Sequence, residues 1–309
     1  MASVLQELQE TVAAVAGRVG GSVVGIGRGR GPGSGVVVGD GLVLTNAHNI
    51  RGEEVTVVFG DDRRATGHLA GIDPDGDLAV VRVDTEGATP VTWEPEAVAP
   101  AVGAVVVALA KPGGMGLRVT LGQVSAVSRS FQGPRGRLVR GSVEHTAPMV
   151  SGSSGGPIVD PEGRFVGINT HRLGEGFYAA IPADAELKER VDALARGESP
   201  TRRTLGVGLL PGRAARHLRR SVGLPERDGL LVREVQEGSP AARAGVRRGD
   251  LIVTANGRAV SGQGVSELHE VLDGLGDDES LVLGIVRGVE ELELSVTFAA
   301  GATVEEGSA

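Results

Sequence analysis

A serine set among glycines is the residue of this chain best suited to nucleophilic chemistry. Ser154 lies in the run Gly152-Ser-Ser-Gly-Gly-Pro157. Glycines permit the sharp backbone turn that exposes a nucleophile and points N–H groups at a developing oxyanion. The run therefore indicates acyl transfer through Ser154, with an incidental serine in a glycine-rich hairpin as the plain alternative.

The residues after Ser154 discriminate between two kinds of serine enzyme. The G-x-S-x-G elbow of α/β-hydrolases places its serine between a strand and a helix, and its acid and histidine follow later in the chain. Here Pro157-Ile-Val-Asp160 predicts a strand and a turn, and the convincing partners lie earlier. A nucleophile elbow of the α/β-hydrolase type is therefore disfavoured at Ser154.

His48 is the candidate general base. It ends the segment Gly41-Leu-Val-Leu-Thr-Asn-Ala-His48, which predicts a buried strand that delivers the imidazole to a fixed position. A general base needs that placement and a pKa near neutrality. Five further histidines lack such a setting, and we interpret them as structural or surface residues: His68, His145, His171, His217 and His269.

Asp77 is the candidate acid that orients the base. It begins the apolar run Asp77-Leu-Ala-Val-Val-Arg-Val83, so its backbone is anchored and its carboxylate is expected to be partly buried. Asp73 and Asp75 stand further out in the preceding loop and are the less favoured alternatives. The order His48, Asp77, Ser154 is that of chymotrypsin-type proteases. The three residues together predict a serine protease triad.

A metal or organic cofactor is not expected. The aspartates at 73, 75 and 77 have the spacing of a calcium loop, but Leu78 replaces its glycine and Asp84 replaces its glutamate. The chain has no cysteine, which excludes disulfides and thiolate metal sites.

Composition limits the partners and the compartment. A net charge of −8 argues against general affinity for nucleic acid or anionic membrane. Residues 1–19 predict an amphipathic helix and lack the features of a secretory signal. No run reaches the roughly 20 apolar residues of a membrane span. The chain as given is therefore expected in the cytoplasm, or outside it if an upstream targeting segment is missing.

The chain is predicted to be mainly β, with two domains. Short apolar runs alternate with glycine, aspartate and proline over residues 20–197, which is typical of an all-β barrel or sandwich. A helix closes this domain, residues 198–203 predict a linker, and residues 204–298 predict a small α+β domain with five strands and two helices. Residues 299–309 predict a disordered tail. The arginines around 213–220 are interpreted as a solvated face.

These blocks resemble the HtrA (Deg) family of trypsin-like serine proteases. The matching segments are Ser34-Gly-Val-Val-Val38, Gly41 to His48, Asp77 to Arg82, Leu121-Gly-Gln-Val-Ser-Ala-Val127, Gly152 to Pro157, Gly167-Ile-Asn-Thr170 and Ala180-Ile-Pro-Ala-Asp184. The resemblance implies a chymotrypsin-like double β-barrel that cleaves unfolded or misfolded proteins without ATP, acts in protein quality control and assembles as a homotrimer. A catalytically silenced, peptide-binding chaperone is the alternative, and an esterase with the same triad is a third possibility.

The second domain resembles a PDZ domain. Gly238-Ser-Pro-Ala-Ala-Arg-Ala-Gly245 matches a frequent PDZ signature, and the segment after Thr204 matches the carboxylate-binding loop. Consecutive N–H groups beside a glycine can capture a peptide C-terminus, and a strand edge can pair with the peptide. The candidate peptide-binding residues are Leu205, Gly206, Val207, Leu268 and Leu272, although the leucines could equally fill the core.

The loop before the nucleophile departs from the family pattern. Ser153 replaces the usual asparagine, Val150-Ser151 replaces an Asn-Pro pair, and Thr146 replaces an aspartate. The oxyanion hole is expected from the backbone of Gly152, Ser153 and Ser154. The expected substrate pocket has uncharged walls and predicts aliphatic side chains before the scissile bond; its residues are Met149, Val150, Phe177 and Ala179.

Overall fold

The structure, a computed structural model, describes residues 3–27, 33–132, 138–199, 203–210, 212–260, 265–276 and 279–298. The chain divides into two compact units, Met1–Pro200 and Thr201–Ala309. The division falls within the segment predicted as the linker, of which 200–202 lie outside the described residues, as does the predicted tail at 299–309.

The first unit is built from twelve described strands and two helices. These are α1 Val4–Val19, β1 Val23–Ile26, β2 Gly33–Gly39, β3 Leu42–Thr45, β4 Glu54–Val58, β5 Arg64–Asp73, β6 Leu78–Arg82, β7 Val105–Ala110, β8 Arg118–Gln132, β9 Leu138–His145, β10 Pro157–Val159, β11 Phe165–Gly174, β12 Phe177–Pro182 and α2 Ala185–Ala195. Short 3₁₀ turns cover Gly20–Ser22, Ala47–Asn49 and Pro112–Gly114.

The strands close into two antiparallel barrels. The strand order is β1-β2-β3-β6-β5-β4 in the first barrel and β10-β11-β12-β9-β8-β7 in the second. The predicted fold class, a chymotrypsin-like double barrel followed by a small α+β domain, is confirmed. Closure of both sheets removes the unpaired edges that would otherwise invite association.

Burial on both strand faces explains the continuous valine and leucine runs. Val37 and Val43 point into the first barrel, whereas their neighbours Val36 and Leu44 belong to a core shared with the second barrel. Neighbouring strand residues point to opposite faces, so a strand buried on both sides needs apolar residues at every position. The two barrels are therefore joined by a shared apolar core.

α1 begins with a capping box and packs only along its second half. The Ser3 hydroxyl oxygen accepts from the backbone N–H of Gln6, and the Gln6 side-chain oxygen accepts from the backbone N–H of Ser3. Val15 is fully buried, but Val4 and Leu5 are almost four-fifths exposed. No helix among the described residues is both long enough and apolar enough to span a membrane.

The second unit is a small sheet flanked by three described helices. Its elements are β13 Val207–Leu210, α3 Gly212–Ser221, β14 Leu230–Val235, α4 Pro240–Arg243, β15 Leu251–Ala255, β16 Arg258–Ala259, α5 Ser266–Asp273, β17 Leu281–Arg287 and β18 Glu290–Val296. The strand order is β13-β14-β15-β17-β18, with β16 paired to β15.

Helix α3 lies in the arginine-rich stretch for which no helix was predicted. One face of the helix is buried at Ala215 and Arg219, and the Arg219 guanidinium donates to the carbonyl oxygens of Pro225 and Gly288 at 3.0 and 3.1 Å. Burial lowers the pKa of Arg219. The interpretation of this stretch as a solvated face therefore does not extend to Arg219, because its side chain anchors two turns of the domain.

Candidate active site

Ser154 lies in the loop between β9 and β10, where glycines take backbone angles that other residues avoid. Gly152 and Gly155 have φ of +87° and +89°. A Cβ on Gly155 would lie 2.0 Å from the carbonyl oxygen of Ser34. Ser153 N–H donates to the carbonyl oxygen of Val150 at 3.1 Å and closes a tight turn. The glycines therefore let the loop pass close against β2.

His48 and Asp77 lie together at one end of the first barrel. His48 belongs to the 3₁₀ turn that follows β3, and Asp77 directly precedes β6. His48 Nδ1 lies 2.9 Å from each carboxylate oxygen of Asp77, and His48 N–H donates to Oδ1 at 3.1 Å. Asp77 is fully buried, whereas a third of the His48 side chain is exposed. The imidazole is thus fixed on one side and accessible on the other.

Asp77 is held by partners on two further segments, the turn after β3 and strand β11. Thr170 Oγ1 donates to its Oδ2, and Asn46 Nδ2 donates to its carbonyl oxygen at 2.9 Å. Its φ of +54° is unusual for a residue other than glycine. These contacts hold the backbone in that conformation.

Asp73 stabilises the loop that carries Asp77 through a hydrogen bond and an ion pair. Its Oδ1 accepts from Gly76 N–H at 2.9 Å, and its Oδ2 lies 2.8 Å from Arg190 Nη2 on α2. Its carboxylate is nearly fully buried. Asp73 therefore stabilises the loop and does not face His48.

The nucleophile loop is fastened to the first barrel by residues that the motif alone did not single out. Ser34 Oγ donates to the Gly152 carbonyl oxygen at 2.8 Å and accepts from Lys111 N–H at 3.0 Å. The Ser154 carbonyl oxygen accepts from Ser34 N–H at 2.9 Å and from Asn49 Nδ2 at 3.0 Å. The loop therefore has its conformation fixed by groups far away in sequence.

The backbone donors of the loop are divided between two tasks. The N–H of Ser153 is used inside the turn, whereas the N–H groups of Gly152 and Ser154 have no acceptor among the described residues. Of the three residues predicted for the oxyanion hole, Gly152 and Ser154 thus retain donors for a ligand. The Ser154 hydroxyl donates to the carbonyl oxygen of Thr170 at 3.1 Å.

A cleft of about 440 Å³ contains these groups. His48, Ser154 and Thr170 line it together with Met149 and Val150, two of the predicted substrate-pocket residues. Ala179 is fully buried in the shared core, and Phe177 is 44% exposed on the β11–β12 hairpin. Neither contributes to the described lining, and Tyr178 does so instead, because neighbouring strand residues face opposite sides.

The predicted peptide-binding loop of the second unit is closely packed. Gln236 N–H donates to the Gly206 carbonyl oxygen at 2.8 Å, and Ala241 N–H donates to the Leu205 carbonyl oxygen at 3.0 Å. Gly206 has φ of +70°, and a Cβ there would lie 2.3 Å from Ser239 Cβ. The side chains of the predicted leucines belong to the core of the unit, with exposures of 4%, 1% and 4% for Leu205, Leu268 and Leu272. Val207 packs partly buried against the same core.

Metal-binding geometry is absent from the described parts of the chain. No group of three or more histidine and acidic side chains there is arranged to hold an ion.

Both units match known families. Residues 33–168 match the trypsin-like peptidase domain, and residues 231–287 match the PDZ domain. The class of protein is therefore a trypsin-like serine peptidase joined to a PDZ domain.

Comparison with individual relatives identifies the family within this class. HhoA of Synechocystis sp., named as a serine protease, is 34% identical over 284 residues, which cover 87% of this chain and 71% of HhoA. A DegP-like periplasmic serine endoprotease of Brucella suis is also 34% identical, over 87% of this chain. The solved structure of the HtrA-type protease AlgW with a decapeptide has a TM-score of 0.64 and 25% identity, covering 93% of this chain and 97% of that one. The chain belongs to the HtrA family of serine proteases and spans 52% of the length of the Brucella relative.

Proposed function

We propose that this chain is a serine endopeptidase that hydrolyses peptide bonds through an acyl-enzyme on Ser154. His48 takes the hydroxyl proton and returns it to the leaving amine, and Asp77 orients His48. The observation that carries this proposal is the buried Asp77 carboxylate, which lies 2.9 Å from His48 Nδ1 at a cleft that also contains Ser154. A proton on Nδ1 leaves Nε2 free to act as the base.

In this mechanism the Ser154 hydroxyl turns from its resting acceptor towards His48. Its present acceptor is the Thr170 carbonyl oxygen. Catalytic hydrogen bonds often form only when substrate is bound, so this rotamer is compatible with a resting enzyme.

Two backbone donors would stabilise the tetrahedral intermediate. The N–H groups of Gly152 and Ser154 have no acceptor among the described residues, and each such donor contributes about 3 kcal/mol to transition-state stabilisation in comparable sites. Ser153 is excluded from this role because its N–H is bonded to Val150.

The substrate backbone would pair with β11. One edge of Thr170–Arg172 faces β12, whereas on the β10 side the backbone bonds of β11 end at Asn169, which pairs with Gly155 and Gly156. The edge of residues 170–172 on that side borders the cleft, where an extended peptide can add as a strand. In this proposal the added strand brings its scissile carbonyl beside Ser154.

The side chain before the scissile bond would enter beside Met149, Val150 and Tyr178. The first two are uncharged and flexible or branched, which favours small or medium aliphatic groups. Profiling with a peptide library should show preferred cleavage after Val, Ala, Leu or Ile. A clear preference for Arg or Lys would contradict the assignment.

The PDZ unit is proposed to bind peptide C-termini through the loop at Leu205, Gly206 and Val207, with Leu268 and Leu272 supporting the site from the core of the unit. The decapeptide in the AlgW structure supports a peptide partner for a related chain. A fluorescent peptide should bind with a free C-terminus and lose affinity when the same peptide is amidated. Equal affinity for both peptides would exclude carboxylate capture.

The wider role follows from the relatives and is part of the proposal. A periplasmic location is proposed from the DegP-like relatives, which are named periplasmic endoproteases. Degradation of unfolded proteins and assembly as a homotrimer are proposed from the resemblance to the HtrA family. A casein degradation assay tests the activity and its regulation together. The wild type should degrade casein, Ser154→Ala should not, and adding a PDZ-binding peptide should change the wild-type rate. Sedimentation would test the trimer.

A further inference from the structure

Two arginines flank the proposed catalytic groups in the cleft. Arg51 and Arg172 both line it. No carboxylate is among the lining residues, since Asp77 is buried behind His48. This local excess of positive charge contrasts with the net charge of −8 of the whole chain.

We propose that the cleft selects polypeptides with acidic side chains on both sides of the scissile bond, beyond the aliphatic residue that directly precedes the bond. Arg172 recognises the segment before the bond, and Arg51 recognises the segment after it. The proposal rests on the peptidase function proposed above and adds a substrate class to it.

Arg172 is placed to meet the segment that forms the acyl-enzyme. It lies on β11 directly after the part of the strand edge that borders Ser154, and its side chain is exposed. Its Nε donates to the Gly174 carbonyl oxygen at 3.1 Å, which orients the guanidinium and leaves its terminal nitrogens available. It makes no ion pair with any described residue. A guanidinium in this state can form two parallel bonds to a carboxylate.

Arg51 is placed to meet the leaving segment. It lies three residues after His48, just beyond the 3₁₀ turn that carries the base, and it is exposed. Because His48 must give its proton to the leaving amine, the peptide after the scissile bond passes on the His48 side of the cleft. Arg51 likewise has no ion-pair partner among the described residues.

Neighbouring acids do not neutralise this charge. Glu53 and Glu175 are close to the two arginines in sequence and are exposed, but the described ion pairs join neither of them to an arginine of the cleft. A charged cleft raises the local concentration of ligands of opposite sign even when the whole molecule has the other sign.

The expected size of the preference for Glu over Gln follows from the free energy that exposed ion pairs contribute. Such pairs contribute about 0.2–1 kcal/mol, so each acidic residue should raise kcat/KM by about 1.5- to 5-fold over its amide counterpart at low salt. The preference should fade at about 1 M salt, where charges are screened beyond about 3 Å.

The test uses the full chain and matched fluorogenic peptides that keep one aliphatic residue directly before the scissile bond. They differ only by Glu, Gln or Lys, placed either before that residue or after the scissile bond. Arg172→Glu should invert the preference for Glu on the acyl side alone, and Arg51→Glu should invert it on the leaving side alone. Arg64→Glu is the matched control, because Arg64 is exposed on β5, outside the cleft lining, and gives the same change in net charge. It should leave both preferences intact.

The outcomes separate this inference from the function on which it rests. Equal cleavage of the Glu and Gln peptides by the wild type at low salt would overturn the acidic preference, as would an equal effect of Arg64→Glu. Absence of cleavage of every peptide, or cleavage that persists in Ser154→Ala, would overturn the proposed peptidase instead.

Discussion

Ser34 offers a sharp test of how the nucleophile loop is held. Its fully buried hydroxyl joins two groups, since it donates to the Gly152 carbonyl oxygen and accepts from Lys111 N–H. Ser34→Ala removes both bonds and leaves the buried Lys111 N–H and the partly buried Gly152 carbonyl oxygen unpaired. A buried unpaired group costs about 1–3 kcal/mol and a partly buried one less, so the loss of stability should be about 1–4 kcal/mol and the fall in Tm about 2–16 °C.

The same substitution should also lower turnover. The lost bond to Gly152 is worth about 0.5–1.5 kcal/mol, and this energy holds the peptide unit next to a proposed oxyanion donor. If the present conformation of the loop is destabilised by this free energy, the same amount is lost from transition-state stabilisation and kcat should fall about 2- to 10-fold. KM should change little, because the hydroxyl does not line the cleft.

Ser22→Ala is the matched control for this measurement. Ser22 is equally buried and its hydroxyl donates to the Thr89 carbonyl oxygen at 2.7 Å, outside the cleft. Both variants should lower Tm, but only Ser34→Ala should lower kcat per active site, as counted by titration with a covalent serine reagent. A kcat of Ser34→Ala equal to that of Ser22→Ala would refute the reasoning.

Further substitutions test the acid, the glycine turn and a buried histidine. Asp77→Asn should lower kcat about 10⁴-fold with little change in Tm, because an amide favours the wrong imidazole tautomer; a fall below 10-fold, measured with one fluorogenic peptide, would contradict the role given to Asp77. Gly155→Ala should abolish activity or folding, because its Cβ would lie 2.0 Å from the Ser34 carbonyl oxygen at φ +89°, whereas Gly174→Ala meets nothing within 4 Å and should keep its Tm and kcat. Burial lowers the pKa of His145 below its usual value, so the neutral form is favoured in the folded state. The stability it contributes is therefore complete above about pH 6.5 and is lost as the pH falls towards the folded-state pKa, and His145→Gln should show a flatter Tm between about pH 7 and 5. Parallel Tm curves for the two proteins would show that His145 does not carry this dependence.

Strand patterning made much of the fold predictable. Continuous runs such as Gly41 to Thr45 and Leu78 to Val83 predict buried strands, and the order of His48, Asp77 and Ser154 fits one barrel arrangement. The glycine run also predicted a tight turn because only glycine adopts positive φ at low cost.

Contacts between distant segments were not predictable in the same way. Ser34 and Gly152 are 118 residues apart, and nothing local in either segment indicates that a hydroxyl joins them. Ala179, predicted for the substrate pocket, is fully buried and does not line the cleft, because a shift of one residue moves a strand side chain to the other face and composition does not fix that register. Helix α3 was missed because charged residues mask its narrow apolar face, of which Ala215 is the centre.

The central claim is that Ser154 is the nucleophile, and a covalent label tests it most directly. The folded protein is treated with a fluorophosphonate, and the site of the adduct is found by mass spectrometry after digestion. The account predicts one adduct per chain, on Ser154, formed slowly in Asp77→Asn and absent in Ser154→Ala. An adduct on another residue, or undiminished labelling of Ser154→Ala, would contradict it.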